Sequence, residues 1–269
     1  MSEIFALDFV RAALLLSVFM AILLSFLGTH VVRRGIVFVD LALGQISMMG
    51  VAFAAYFDMD ATTIAILFTL IGAFLMSLIK VSDKRLKLEA IIGIVYAVSS
   101  AVTVLLISKA AHGDADIQEV LFGSFFTVES SELWWMAGVF SILGLVQLVF
   151  RKQFTELTRK FADGDTSDIG IFDVWNFLFY VSIGLAIVLA VRSGGVIPVF
   201  SFIVVPPVAA MLITKNKKVT TLIVFVIAVL GSVLGIYFSV QFDFPAGASI
   251  VAMLGVLFVA ASLVRLVRN

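Results

Sequence analysis

The chain alternates long apolar runs with short charged connections. Runs of about 20 mostly apolar residues, the length that carries a helix across a hydrocarbon core, fall near 9–28, 35–57, 61–80, 89–108, 132–150, 173–191, 196–213, 219–241 and 247–265. That pattern predicts eight or nine transmembrane helices. None of the runs shows the period-2 alternation of a barrel strand, and in lipid each backbone group must be satisfied within its own segment. The predicted fold class is therefore all-α, a polytopic integral membrane protein. The first run has the look of a secretory signal peptide, but the spans that follow it and the lack of a small-residue cleavage site make it a retained helix.

Charge adds an orientation. Of the 18 Lys and Arg residues, all but Arg11, Lys109 and Arg192 fall into five clusters: Arg33/Arg34, Lys80/Lys84/Arg85/Lys87, Arg151/Lys152/Arg159/Lys160, Lys215/Lys217/Lys218 and Arg265/Arg268. A single threading puts every cluster on one side, which the positive-inside bias makes cytoplasmic. The opposite connections carry Asp58, Asp60, Asp114, Asp116 and Asp243. Counting nine spans leaves the N-terminus outside and the C-terminus in the cytoplasm. Trp134 and Trp135 then suit the outer interface, and Trp175 the inner one. Composition agrees: 62% hydrophobic and 13% charged residues leave no surface that water could solvate around one soluble core. The absence of cysteine excludes disulfides and thiolate metal sites.

The organisation expected is one transmembrane domain over 1–269 with two interruptions. The longer is a cytoplasmic insert at 151–173, where Phe154, Leu157, Phe161 and Ile169 are scattered among Glu156, Arg159, Lys160, Asp163 and Asp168. That mixture suits a short amphipathic helix lying across the membrane face or under a partner, the alternative being a solvated connector. The other is a segment at 113–131, whose apolar stretch 119–126 is too short to span; it is expected to be re-entrant or interfacial on the outside.

Polar residues inside spans are costly and therefore informative. Asp40 lies about five residues into the second run, and at about 100° per residue Gly44 and Ser47 share its face. Gln45 lies about 140° from Asp40, on the side of Met48 and Met49, so only a break at Gly44 would aim both into one site. Asp40 is either a path residue or an interfacial carboxylate paired with Arg33 or Arg34. Gln45 is either a path residue or an interhelical hydrogen-bonding group. Glu89 opens the fourth run, where the helix dipole favours an acid, and Tyr96, Ser99 and Ser100 continue a polar stripe above it. Gly231 and Gly235 form a small-xxx-small pair suited to close helix contact. Pro206 and Pro207 sit inside an apolar run, where they remove two backbone donors and predict a kink. Ser193-Gly194-Gly195 just before them reads as a loose connection.

Four of these segments resemble, in order, the landmarks of the zinc/manganese/iron-type ABC importer permeases. They are 35–50, Glu89-Ala-Ile-Ile-Gly-Ile-Val-Tyr, 195–211 with Val204-Val205-Pro206-Pro207-Val208-Ala209-Ala210, and Asp243-Phe-Pro-Ala-Gly-Ala-Ser-Ile-Val. The resemblance covers nearly the whole chain. It implies a helical, multi-pass subunit of a prokaryotic inner (plasma) membrane that pairs with a second permease copy, binds cytoplasmic ATPase subunits and takes a divalent metal from an extracytoplasmic binding protein. Membrane lipid is the other partner; nucleic acid is not expected. On this reading the chain is a transport subunit rather than an enzyme. It carries no cofactor, and since it lacks a Gly-x-x-x-x-Gly-Lys-[Ser/Thr] loop, ATP belongs to the partner. The translocation path is expected at Asp40, Gln45, Ser47, Glu89 and Tyr96, with Asp40 as metal ligand. A kink or gate is expected at Pro206, Pro207 and Gly195, and ATPase coupling at Glu156, Arg159, Phe161 and Asp163.

One departure bears on cargo. Where the family carries Gly-Asp followed four residues later by His, this chain aligns Asp40-Leu41 and Gln45, so the carboxylate is moved by one position and the imidazole is replaced by an amide. Oxygen donors suit harder ions than imidazole does. The two histidines, His30 and His112, fall in or near loops and read as surface or interface residues. A metal chelate or small organic solute as cargo, or an ion-coupled secondary transporter using Asp40 or Glu89 as a proton carrier, are the alternative functions.

Overall fold

The structure is a computed structural model and describes residues 7–79, 87–108, 125–165, 170 and 172–268. Every regular element among them is an α-helix: α1 (Asp8–Arg34), α2 (Val39–Phe57), α3 (Ala61–Leu78), α4 (Leu88–Ile107), α5 (Ser130–Val149), α6 (Arg151–Asp163), α7 (Val174–Gly194), α8 (Val196–Ile213), α9 (Lys217–Phe242) and α10 (Ala246–Arg268). All except α6 are long and apolar enough to cross a membrane, giving nine spans among the described residues. They coincide with the nine apolar runs. The outer segment expected at 113–131 lies largely outside the described residues.

Helix ends follow local chemistry. Gly35, at φ 67°, closes α1, and Gly164, at φ 71°, closes α6. Asp58 and Asp243 end α2 and α9 in the left-handed conformation that Asp tolerates better than most side chains. Asp60 starts α3 by accepting the Thr63 N–H at 2.7 Å, and Asn216 starts α9 by accepting the Lys218 N–H at 3.0 Å.

The chain forms two compact units. The first comprises Met1–Val32, Gln118–Val146 and Ala190–Asn269. In it α8, α9 and α10 pack on one another. The α9–α10 contact runs through Gly231 and Gly235: a Cβ on Gly235 would stand 2.5 Å from the Ile250 Cα, and one on Gly231 would strike the Leu254 side chain. The small-xxx-small pair thus makes the close helix contact expected of it. Helix α1 joins α9 where Ser232 Oγ donates to the Ser17 carbonyl at 3.3 Å and Phe26 stacks on Phe225.

The connection at 193–195, expected to be loose, is tight. Gly195, at φ 79°, is the single residue between α7 and α8, and all three residues are buried. Ser193 Oγ reaches Met136 Sδ at 3.3 Å, and a Cβ on Gly194 would collide with Met20 and come within 3.2 Å of the Phe125 ring. These residues are small because Met20 and Phe125 fill the space beside them.

The second unit comprises Arg33–Ile117 and Gln147–Leu189. Helix α2 packs against α3 and α4. Gly50 lets it approach the α3 backbone, since a Cβ there would stand 2.9 Å from the Ala65 Cα. Helix α7 meets α3 at Gly184, against Thr69 and Ala73, and through an edge-on pair of Phe74 and Phe177. The amphipathic α6 belongs to the same unit and buries Phe154, Leu157 and Thr158.

Candidate functional site

The start of α2 places the central residue. After Gly35 turns the chain, Val39 N–H bonds the Ile36 carbonyl at 3.0 Å and Ala42 N–H the Phe38 carbonyl at 3.1 Å, so Asp40 falls in the first helical turn. There the helix dipole favours a negative charge. The side chain is only 2% exposed, and neither carboxylate oxygen accepts a hydrogen bond among the described residues. The expected alternative of a pair with Arg33 or Arg34 is not formed. A buried carboxylate without a partner is expensive, so such a group marks a site that something else completes.

Gln45 and Ser47 are buried further along α2. The helix passes Gly44 without a break, so the angle of about 140° between Asp40 and Gln45 stands, and the two do not share a face. Ser47 remains on the Asp40 side. On α4 the buried residues are Ile92, Ser99 and Thr103. Glu89, half-buried in the first turn, and Tyr96, 37% exposed, border this face rather than lying within it. Among the described residues no three of His, Asp or Glu gather closely enough to hold a metal ion.

Pro206 and Pro207 are buried within α8, and the helix continues through both. Their missing N–H groups free the carbonyls four residues back, those of Phe202 and Ile203. Helix α1 covers both. Ser25 Oγ donates to the Phe202 carbonyl at 2.9 Å, and Gly28 lies so close to Ile203 that a Cβ on it would meet the Ile203 carbonyl oxygen. The donor lost from α8 is replaced at the Phe202 carbonyl by a hydroxyl from α1, and the Ile203 carbonyl is met by the close approach of the Gly28 backbone.

At α6 the polar face carries Glu156, Arg159 and Asp163, all exposed, with Arg151, Lys152 and Thr155 beside them. Phe161 turns the other way, and its ring lies 5.2 Å from the Arg34 guanidinium. Arg34, the last residue of α1, is 8% exposed. Its Nε donates to Thr158 Oγ1 at 3.1 Å, its Nη1 donates to Asn176 Oδ1 at 3.0 Å, and its guanidinium carbon sits 3.8 Å over the Phe179 ring. Asn176 Nδ2 in turn donates to the Ser77 carbonyl at 3.0 Å. Trp175, expected at an interface, packs against Phe150 and Phe154.

Sequence reasoning missed this cluster, because Arg34 counted only as part of a charged cluster and as a possible partner for Asp40. The available signal was Asn176, a lone amide between Trp175 and Phe177. It also missed Gln147, fully buried on α5 with neither amide atom hydrogen-bonded among the described residues. Its signal was an amide in the run Leu-Val-Gln-Leu-Val.

Among the described residues, nine apolar spans and one amphipathic helix with an exposed charged face define a multi-pass membrane protein with a buried carboxylate at the head of one span. The family model described as the ABC 3 transport family matches residues 6–265. The chain belongs to that family.

Relatives cover nearly its full length. It is 23% identical over 96% of its residues to the manganese transport system membrane protein MntC of Halalkalibacterium halodurans, covering 88% of that protein. It is 24% identical over 97% of its residues to a protein of Haemophilus influenzae named as a probable iron transport system membrane protein, covering 92% of it. Its fold matches the solved structure of PsaBC from Streptococcus pneumoniae in complex with Fab, with a TM-score of 0.79 at 23% identity, covering 98% of this chain and 96% of that one.

Proposed function

We propose that this chain is the membrane-spanning permease subunit of an ATP-binding cassette importer whose cargo is a divalent metal cation that favours oxygen ligands. The observation that carries this reading is Asp40, a buried carboxylate without a hydrogen-bond partner, in a chain that matches the family from residue 6 to 265. Desolvating an ionised carboxylate costs several kcal/mol unless a counter-charge accompanies it. A passing dication supplies that charge. The donors along α2, the Asp40 carboxylate, the Gln45 amide oxygen and the Ser47 hydroxyl, are all oxygen, which suits manganese better than zinc. The names of the two relatives, one for manganese and one for iron, support the same class. Ser47 shares the Asp40 face and lies about 10.5 Å further along the helix, so these two serve successive positions, each weak enough to release the ion, while Gln45, on the opposite side of α2, serves a separate position. Glu89 and Tyr96 border this path; in the other unit, the proline pair of α8 and the tight Gly195 corner are the parts proposed to move during transport.

On this reading ATP is hydrolysed by separate cytoplasmic subunits seated on the exposed face of α6, through Glu156, Arg159 and Asp163. A second permease copy completes the pore, an extracytoplasmic binding protein delivers the cation, and the clusters of Lys and Arg keep the C-terminus in the cytoplasm. The test is uptake by proteoliposomes holding the permease, its ATPase and its binding protein, with manganese, zinc and iron offered in turn. ATP-driven manganese uptake that disappears in Asp40→Asn is expected. If no free ion enters while the binding protein still stimulates ATP hydrolysis, the cargo is a chelate or organic solute. Uptake indifferent to ATP and abolished by a protonophore would make the protein a secondary transporter and overturn the proposal.

A further inference from the structure

The Arg34 cluster makes no hydrogen bond to Asp40 and joins four helices. Arg34 is the last residue of α1. Thr158 and Phe161 belong to α6, Asn176 and Phe179 to the first turns of α7, and Ser77 to the last turn of α3. The last carbonyls of a helix lack intrahelical donors, and the Asn176 side chain supplies one to Ser77 at 3.0 Å. The Asn176 backbone N–H is itself capped by Asp173 Oδ1 at 2.7 Å. The guanidinium ties this α3–α7 junction to α6: one edge bonds Asn176 and another bonds Thr158, while its face rests on Phe179.

We propose that Arg34 is a positioning residue of the transport cycle, coupling displacement of α6 to the ends of α3 and α7. The proposal rests on the reading that α6 is the ATPase contact. Two features of the geometry carry it. First, α6 is held by polar bonds of fixed direction as well as by apolar packing, so that a push on its exposed face is delivered to Asn176 rather than absorbed by sliding. Secondly, the cluster is not saturated: Arg34 Nη2 is buried and makes no hydrogen bond among the described residues. A buried donor left open is costly in a single state. It is accounted for when a second arrangement of α6 brings it an acceptor. Lysine cannot replace this group, because a compact ammonium neither forks between Thr158 and Asn176 nor stacks on Phe179.

The experiment uses the reconstituted complex of permease, ATPase and binding protein, with two readouts. The chain has no cysteine, so Thr155→Cys on the exposed face of α6 gives a unique cross-linking position towards the ATPase, and the chain carrying this change alone serves as the parent. The second readout is cargo taken up per ATP hydrolysed, measured for the parent, Arg34→Lys and Thr158→Val. Thr158→Val is the safer variant for folding, since it removes one bond and keeps the side chain's shape. A cross-link in the parent, and uptake per ATP lowered about threefold or more in both variants, is expected from loss of one interhelical bond. A merely structural role would lower the amount of assembled complex and leave that ratio alone. An unchanged ratio with the cross-link present overturns the role of Arg34 while leaving α6 as the contact; absence of the cross-link in assembled parent complex overturns the α6 reading, and the proposal with it.

Discussion

Replacing Gly28 with alanine puts a methyl group where α1 crosses the two carbonyls that Pro206 and Pro207 leave free. The added Cβ would stand 2.7 Å from the carbonyl carbon and 2.9 Å from the Cα of Ile203, and closer still to the carbonyl oxygen. All three are backbone atoms, so no rotamer change relieves the clash, and α1 must draw away from α8 by about 1.5 Å to reach ordinary contact. Overpacking of this kind costs about 1–3 kcal/mol. The same movement stretches the 2.9 Å bond from Ser25 Oγ to the Phe202 carbonyl, and an interhelical hydrogen bond in a membrane protein contributes about 0.6–1.7 kcal/mol. The sum is about 1.6–4.7 kcal/mol, roughly a fifteen- to three-thousandfold fall in the folded-to-unfolded ratio. Reversible unfolding in mixed micelles, followed by SDS titration, measures it. Ser25→Ala removes only the hydrogen bond and is expected to cost about 0.6–1.7 kcal/mol. Gly138→Ala is the control, because nothing lies within 4 Å of a Cβ there, and helix propensity alone predicts a gain of about 0.5–1 kcal/mol. If Gly28→Ala is as stable as Gly138→Ala, the close approach of α1 to the proline-freed carbonyls is refuted.

Asp40→Asn is expected to raise the stability of the cargo-free permease by about 1–3 kcal/mol while abolishing uptake, because it removes a buried charge that no side chain pairs with; thermal unfolding in detergent measures the first effect. Gln147→Leu places an apolar side chain of similar size where both amide atoms lack partners among the described residues, and is expected to stabilise by about 1–3 kcal/mol in the same assay; a loss of stability would show that a partner is present. The Arg192–Glu132 pair, 3.7 Å apart with side chains 60% and 35% exposed, is expected to be worth less than about 1 kcal/mol, so Arg192→Gln should leave the unfolding midpoint nearly unmoved.

Spans were legible in the sequence because lipid permits one solution for a run of about 20 apolar residues. The amphipathic α6 was legible from Phe154 and Leu157 set among charges. The separation of Asp40 from Gln45 followed from helical geometry alone, and it stands because Gly44 does not break α2. The Arg34 cluster was hidden for the opposite reason: its partners come from residues 77, 158 and 176, and no local pattern announces that they meet. Gly28 reads like any glycine in an apolar run until the prolines of α8 are seen across from it. Ser193-Gly194-Gly195 misled because small residues signal either freedom or crowding, and only the neighbours Met20 and Phe125 decide which.

The one-residue junction at Gly195 constrains how the gene for this protein can change length. Each residue inserted there would turn α8 by about 100° and advance it by about 1.5 Å, carrying the Phe202 and Ile203 carbonyls off Ser25 and Gly28. Codon insertions and deletions at this point are therefore expected to be purged, and so are substitutions of Gly195 itself, whose φ of 79° and ψ of 158° are essentially open only to glycine. Length variation in the lineage is pushed to other connections, and the spacing from the Gly195 corner to the proline pair becomes a fixed ruler along the coding sequence.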